Sequence, residues 1–155
     1  MKKRFVRPQI QVEVIEDINE PVYMACSGMS NFSFPAGGWT HQKPETGRWN
    51  FAEQTNGQYQ GPAISGPVTT YAYVTFDKPV NVVQWFDSFT TLQNPNGDPA
   101  GSFTIVGSRY WPNGLNHNEG IGLGALYVVP EDPSVTELTL EKVTMALSYN
   151  PNGCG

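Results

Sequence analysis

The chain has 155 residues, 39% of them hydrophobic, which is enough to build one packed core and too little for two. Nine Lys and Arg against fourteen Asp and Glu leave a formal net charge of −5 and a pI near 4.9, which argue against a protein that tracks a nucleic-acid backbone. No apolar run approaches the about 18 residues of a membrane-spanning helix, so no transmembrane segment is predicted.

The chain opens on a basic cluster, Lys2, Lys3, Arg4 and Arg7, which reads as a solvated tail. Only Phe5 and Val6 stand between its charges, too short an apolar stretch for a standard signal peptide. From Gln9 to Glu16 the residues alternate, with Ile10, Val12 and Val14 on one side and Gln9, Gln11 and Glu13 on the other, the period of a half-buried strand. Residues 17–67 are irregular and rich in Gly, Pro, Asn and Gln, with short strands expected near Phe32 and over Trp49-Phe51.

The clearest strand follows Pro67, where Val68, Thr70, Ala72, Val74 and Phe76 share one face and Thr69, Tyr71, Tyr73 and Thr75 the other. Asp77-Lys78-Pro79 is a turn and Val80 to Phe86 the next strand, so the pair reads as a hairpin, its second strand apolar enough to be covered on both sides. The turn cluster Asn94-Pro95-Asn96-Gly97-Asp98-Pro99 precedes a strand over Ser102 to Ser108, and Trp111 to Gly120 reads as a loop. Ile121 to Val129 is a further strand whose glycines suggest a bulge or a close backbone approach. In Val135 to Tyr149 a helix competes with a strand, and the strand is preferred because Val143, Met145, Leu147 and Tyr149 alternate.

The 16 glycines and 13 prolines are spread along the chain as turn punctuation. Some six to nine short strands with almost no helix predict an all-β fold, an antiparallel two-sheet sandwich of jelly-roll kind. The expected division is an N-terminal strand arm over residues 1–28 and a β-sandwich domain over 29–155. Absence of a fixed repeat disfavours solenoids and propellers.

The sequence offers little for catalysis. His117 and Glu119 would share a face if extended, the beginning of a metal or acid-base site, but a third group is not visible. Asp87 and Glu119 are the acidic residues a hydrolase would use, since paired carboxylates are recognised in space and not by spacing. Ser65, Ser108, Cys26 and Cys154 lack a nucleophile setting, and the protein is expected not to be an enzyme. No cofactor is predicted beyond a weak opening for calcium at Asn94 to Asp98 or beside Asp87, Glu131 and Asp132, where turn geometry explains the composition equally well. Cys26 and Cys154 stand near opposite ends, placed to close a large loop as a disulfide or to cross-link neighbouring subunits in an oxidising compartment.

Aromatic residues are more informative. Tyr110 and Trp111, read here as an exposed loop pair, and Trp39 offer flat apolar faces that stack on sugar rings, the basis of a carbohydrate-binding reading with polysaccharide as ligand.

The first 28 residues, and in particular Lys2, Lys3, Phe5, Pro8, Ile10, Val12, Asn19, Glu20, Tyr23, Ala25 and Cys26, resemble the leader-like opening of small proteins of gut Firmicutes, with Pro21-Val22 and Met24 as departures. That resemblance implies an export-related segment or an assembly arm joined to a separate β domain, and carries no catalytic residue. The leading expectation is a structural or surface-assembly protein that self-associates as a homo-oligomer. Its N-terminal strand, with Phe5, Ile10, Val12, Val14 and Ile15, would complete a neighbour's sheet. The low charge and the abundance of Asn, Gly, Thr and Tyr point to the cell surface or beyond it; the missing signal peptide points to the cytoplasm unless another export route serves.

Overall fold

A computed structural model describes residues 31–34, 39–42, 47–53, 56–85, 88–92 and 103–150, and among these it forms thirteen β-strands and no α-helix. In chain order they are β1 (Phe32–Ser33), β2 (Trp39–Gln42), β3 (Trp49–Glu53), β4 (Gly57–Tyr59), β5 (Ile64–Ser65), β6 (Val68–Phe76) and β7 (Val80–Trp85). After them come β8 (Thr90–Thr91), β9 (Phe103–Trp111), β10 (Gly114–Leu115), β11 (Glu119–Ile121), β12 (Ala125–Pro130) and β13 (Leu140–Ala146). The all-β expectation holds, with more and shorter strands than alternation alone revealed. Every pairing is antiparallel.

Two four-stranded sheets, of order β13-β6-β9-β8 and β2-β3-β12-β7, are accompanied by a three-stranded sheet, β1-β4-β11, and the short pair β10-β5. Side chains of all four sheets meet in one hydrophobic core that includes Phe32, Phe51, Ala72, Val74, Phe76, Ile105, Leu115, Ile121, Leu126, Val128 and Met145. Phe51 of β3 and Phe76 of β6 meet edge to face at 5.2 Å, which ties the two larger sheets together. Trp85 of β7 makes a second tie: its ring lies over Gly107 of β9, where a Cβ would collide with it, and stacks on Phe89 at 5.5 Å. Its indole N–H donates to the Leu123 carbonyl at 2.9 Å, so the one polar atom of this buried ring is satisfied.

The predicted hairpin of β6 and β7 does not form. β6 pairs with β9 and β13, whereas β7 pairs with β12 in the other large sheet, so Asp77-Lys78-Pro79 is a corner between sheets. The turn was legible in the sequence, but turn residues do not say which strands they join. This corner is clasped to the chain before β13. Asp77 Oδ1 accepts the Thr139 N–H at 2.8 Å, the Asp77 N–H donates to the Thr139 carbonyl at 3.1 Å, and Lys78 Nζ bridges Asp77 Oδ2 at 2.7 Å and the Glu137 carbonyl at 2.8 Å. Burial would raise the Asp77 carboxyl, but the Lys78 and Thr139 bonds outweigh it and hold the group below the ordinary aspartate value.

Three further expectations change. Cover on both sides of β7 is absent: its register against β12 shifts between Tyr127 and Val128, leaving Val83 as the extra residue of a bulge, 46% exposed between the inward Val82 and the outward Gln84. The loop predicted from Trp111 is shorter, since β9 runs to Trp111, Pro112 and Asn113 turn, and β10 and β11 follow. That turn requires glycine at 114, which has φ +85° and lies so close to the Ile64 carbonyl that any side chain would overlap it. Ile121 to Val129 divides into β11 and β12 around Gly124, at φ +70°. The strand preferred over a helix near the C-terminus is present, confined to Leu140–Ala146 and bulged at Glu141.

Candidate functional site

The alternation of β6 puts Thr69, Tyr71, Tyr73 and Thr75 on the face turned away from the main core. Register then sets Tyr110, Ser108, Val106 and Thr104 of β9 beside them, in that order, and Thr90 of β8 beside Ser108. One half of this outer face is covered. Tyr73, Val106 and Ala146 form a small second hydrophobic cluster, with Tyr71, Leu92 and Tyr149 packed against it. Residues 147–150, following β13, fold back over it: the Asn150 N–H donates to the Tyr73 phenolic oxygen at 2.6 Å, and the Tyr73 hydroxyl donates to the Ser148 carbonyl at 3.4 Å. Tyr149 packs on Tyr71 with ring centres 5.5 Å apart. Burial pushes the Tyr73 phenol up to about 12, against the opposing effect of the Asn150 N–H bond.

The other half is open. Tyr110 is 61% exposed, Thr90 is exposed, and Thr69, Tyr71 and Ser108 are half-buried. None of these positions carries an ionised side chain, and each of these side chains carries a hydroxyl. The open half is therefore a row of aromatic faces and hydroxyls at sheet spacing, backed by a packed sheet.

Trp111 belongs elsewhere. Successive residues of a strand face opposite ways, so Tyr110 points outward while Trp111 and Arg109 lie on the core side of β9. The Trp111 indole N–H donates to Oγ1 of the fully buried Thr70 at 3.0 Å, and the Arg109 guanidinium lies 3.8 Å above the centre of its ring. Trp39 opens β2, in the other large sheet, paired with Glu53. Of the three predicted stacking residues, Tyr110 alone stands on the outer tyrosine face, and its neighbours there are Tyr71 and, through the C-terminal segment, Tyr149. The sequence signal for Tyr71 was its place opposite the apolar face of β6; Tyr149, in contrast, had no signal that would place it there.

His117 and Glu119 do not converge. His117 Nδ1 lies 3.2 Å from the Gly61 carbonyl, while Glu119 Oε1 accepts the Asn116 N–H at 3.0 Å and the Asn116 side-chain amide at 3.2 Å. Asn118 takes φ +68° in this turn and its N–H donates to the Tyr59 carbonyl, so the segment serves to hold β11 against β4. Asp132 accepts the Ser134 N–H and hydroxyl at 2.9 and 2.7 Å, a local turn whose bonds lower its carboxyl. Among the described residues no cluster of three or more His, Cys, Asp or Glu is arranged for a metal ion, and no helix is long and apolar enough to cross a membrane. The predicted assembly strand with Phe5, Ile10, Val12, Val14 and Ile15, the thiols Cys26 and Cys154, and the carboxylates Asp87 and Asp98 lie outside the described residues.

Comparison with protein-family models, curated proteins and solved structures finds no match for this chain.

Proposed function

We propose that this is a non-enzymatic structural domain that assembles with copies of itself at the cell surface, its N-terminal strand completing the sheet of a neighbour. In this reading residues 1–28 are the arm and residues 29–155 a sandwich of jelly-roll kind, with the two four-stranded sheets as its layers. The Phe51–Phe76 and Trp85–Gly107 contacts, which join those sheets across one core, favour that arrangement.

The observation that carries the assembly reading is the edge strand β7. Among the described strands it ends its sheet and pairs with β12 alone, and it presents Val83, one of the two large hydrophobic side chains exposed among the described residues. An edge strand with an exposed valine is a template for another strand, and the alternating stretch from Gln9 to Glu16 is long enough to run along the whole of β7. Cys26 and Cys154 would then lock the contact covalently where the compartment is oxidising. The likeness of the first 28 residues to leader-like openings fits an arm whose partner is not its own domain.

Light scattering of the full chain, of the chain lacking residues 1–20, and of Val83→Lys tests this, on non-reduced and reduced samples. The full chain is expected to run as an oligomer, and both altered chains as smaller species. A monomer in all three cases would overturn the reading.

A further inference from the structure

We infer that the open half of the outer face of β13-β6-β9-β8 is a binding site for a neutral polysaccharide, with Tyr110 and Tyr71 as stacking rings and Thr69, Ser108 and Thr90 as hydroxyl partners. This goes beyond self-assembly and uses a different surface from β7.

A sugar ring offers an apolar C–H face and a rim of hydroxyls. It is matched by a rigid aromatic face with donors and acceptors at its edge. Tyr110 meets the first requirement: it is 61% exposed on a nine-residue strand paired along its whole length with β6, so little backbone order is lost when it is covered. Its cross-strand partner is Thr69, and Tyr71 stands diagonally from it, next to Ser108. Tyr71 is in turn held by Tyr149 at 5.5 Å, which fixes the second ring. Thr90 extends the row of hydroxyls by pairing with Ser108.

The chemistry of this row selects among occupants. With no ionised group among Thr69, Tyr71, Thr90, Ser108 and Tyr110, it has nothing to neutralise a uronate, sulfate or phosphate. Its described residues also include no exposed aliphatic side chain of the kind that anchors a protein interface, since Val106 is fully buried and Leu92 half-buried. A hydroxyl-rich, uncharged ligand with flat apolar faces remains. Trp111 takes no part, because its indole N–H is bonded to Thr70 and its ring is covered by Arg109.

Affinity electrophoresis of the full chain in gels containing hydroxyethylcellulose, xylan, galactomannan or soluble starch, with polygalacturonate as the acidic counterpart, tests the site. Retardation is expected in at least one neutral gel and not in polygalacturonate. Tyr110→Ala, whose exposed ring makes folding insensitive to its loss, is expected to weaken that retardation about tenfold. Tyr127→Ala, on the outer face of the other large sheet, is expected to leave it unchanged. No retardation in any neutral gel, retardation by polygalacturonate alone, or full binding by Tyr110→Ala with an unchanged melting curve would each overturn the assignment. None of these outcomes bears on the oligomeric state, so the two readings stand or fall separately.

Discussion

The outer face of β13-β6-β9-β8 carries Tyr71, Tyr73, Val106 and Tyr110 and is partly covered by residues 147–150. The outer face of β2-β3-β12-β7 carries Asn81, Gln84, Tyr127 and Val129, of which Asn81 and Gln84 are exposed and Tyr127 is half-buried, with Arg48 above its ring at 5.2 Å. Both sheets bury their inner faces in the same core, so the contrast comes from side-chain chemistry and not from position in the fold. A face bearing Val106, Ala146 and the body of Tyr73 loses free energy by remaining in water, and a short segment of chain that supplies Tyr149 and two backbone groups is enough to seal it. The exposed amides of Asn81 and Gln84 on the other face stay hydrated and gain little from a cover. The covered sheet thus has a second, smaller core, and its uncovered half is left as the exposed tyrosine row.

Three substitutions sharpen this contrast, in falling order of effect. Phe76→Ala removes a fully buried ring from the junction of the two large sheets, and urea denaturation should show a loss of about 3–5 kcal/mol. A loss below about 1 kcal/mol would mean that the sheets are not joined through one core. Tyr73→Phe keeps the ring of the small core and removes its bonds to Ser148 and Asn150, for an expected cost of about 1 kcal/mol. The same variant has a signature in alkali. The folded phenol is raised from the ordinary 10.0 to about 12, so the unfolded chain gives up this proton first. Stability from this group is fully present below the unfolded value and is lost as pH rises toward and through the folded one. The unaltered chain should therefore lose stability above about pH 10 more steeply than Tyr73→Phe; equal slopes would show that the C-terminal segment does not bury this hydroxyl. Arg48→Ala on the other sheet is expected to change stability by no more than about 0.5 kcal/mol, because an exposed, hydrated cation over a half-buried ring is worth little. A melting-temperature shift as large as that of Tyr73→Phe would erase the distinction between the two outer faces.

Elements whose cause is local were legible in the order of residues. The alternation from Val68 to Phe76 named β6 at its observed bounds, and Asp77-Lys78-Pro79 marked a turn, because side-chain period and φ preference act within a few residues. The all-β class followed from the number of such stretches. Which stretches lie side by side was settled by long-range packing instead. The turn at Asp77 joins two sheets and makes no hairpin, the apolar run of β7 is half exposed because a bulge at Val83 is set by its partner β12, and Tyr110 parts from Trp111 because both belong to one strand. Tyr149 reaches Tyr71 across 78 positions of sequence, a contact that rests on register and the path of β13, neither of which leaves a mark in local composition.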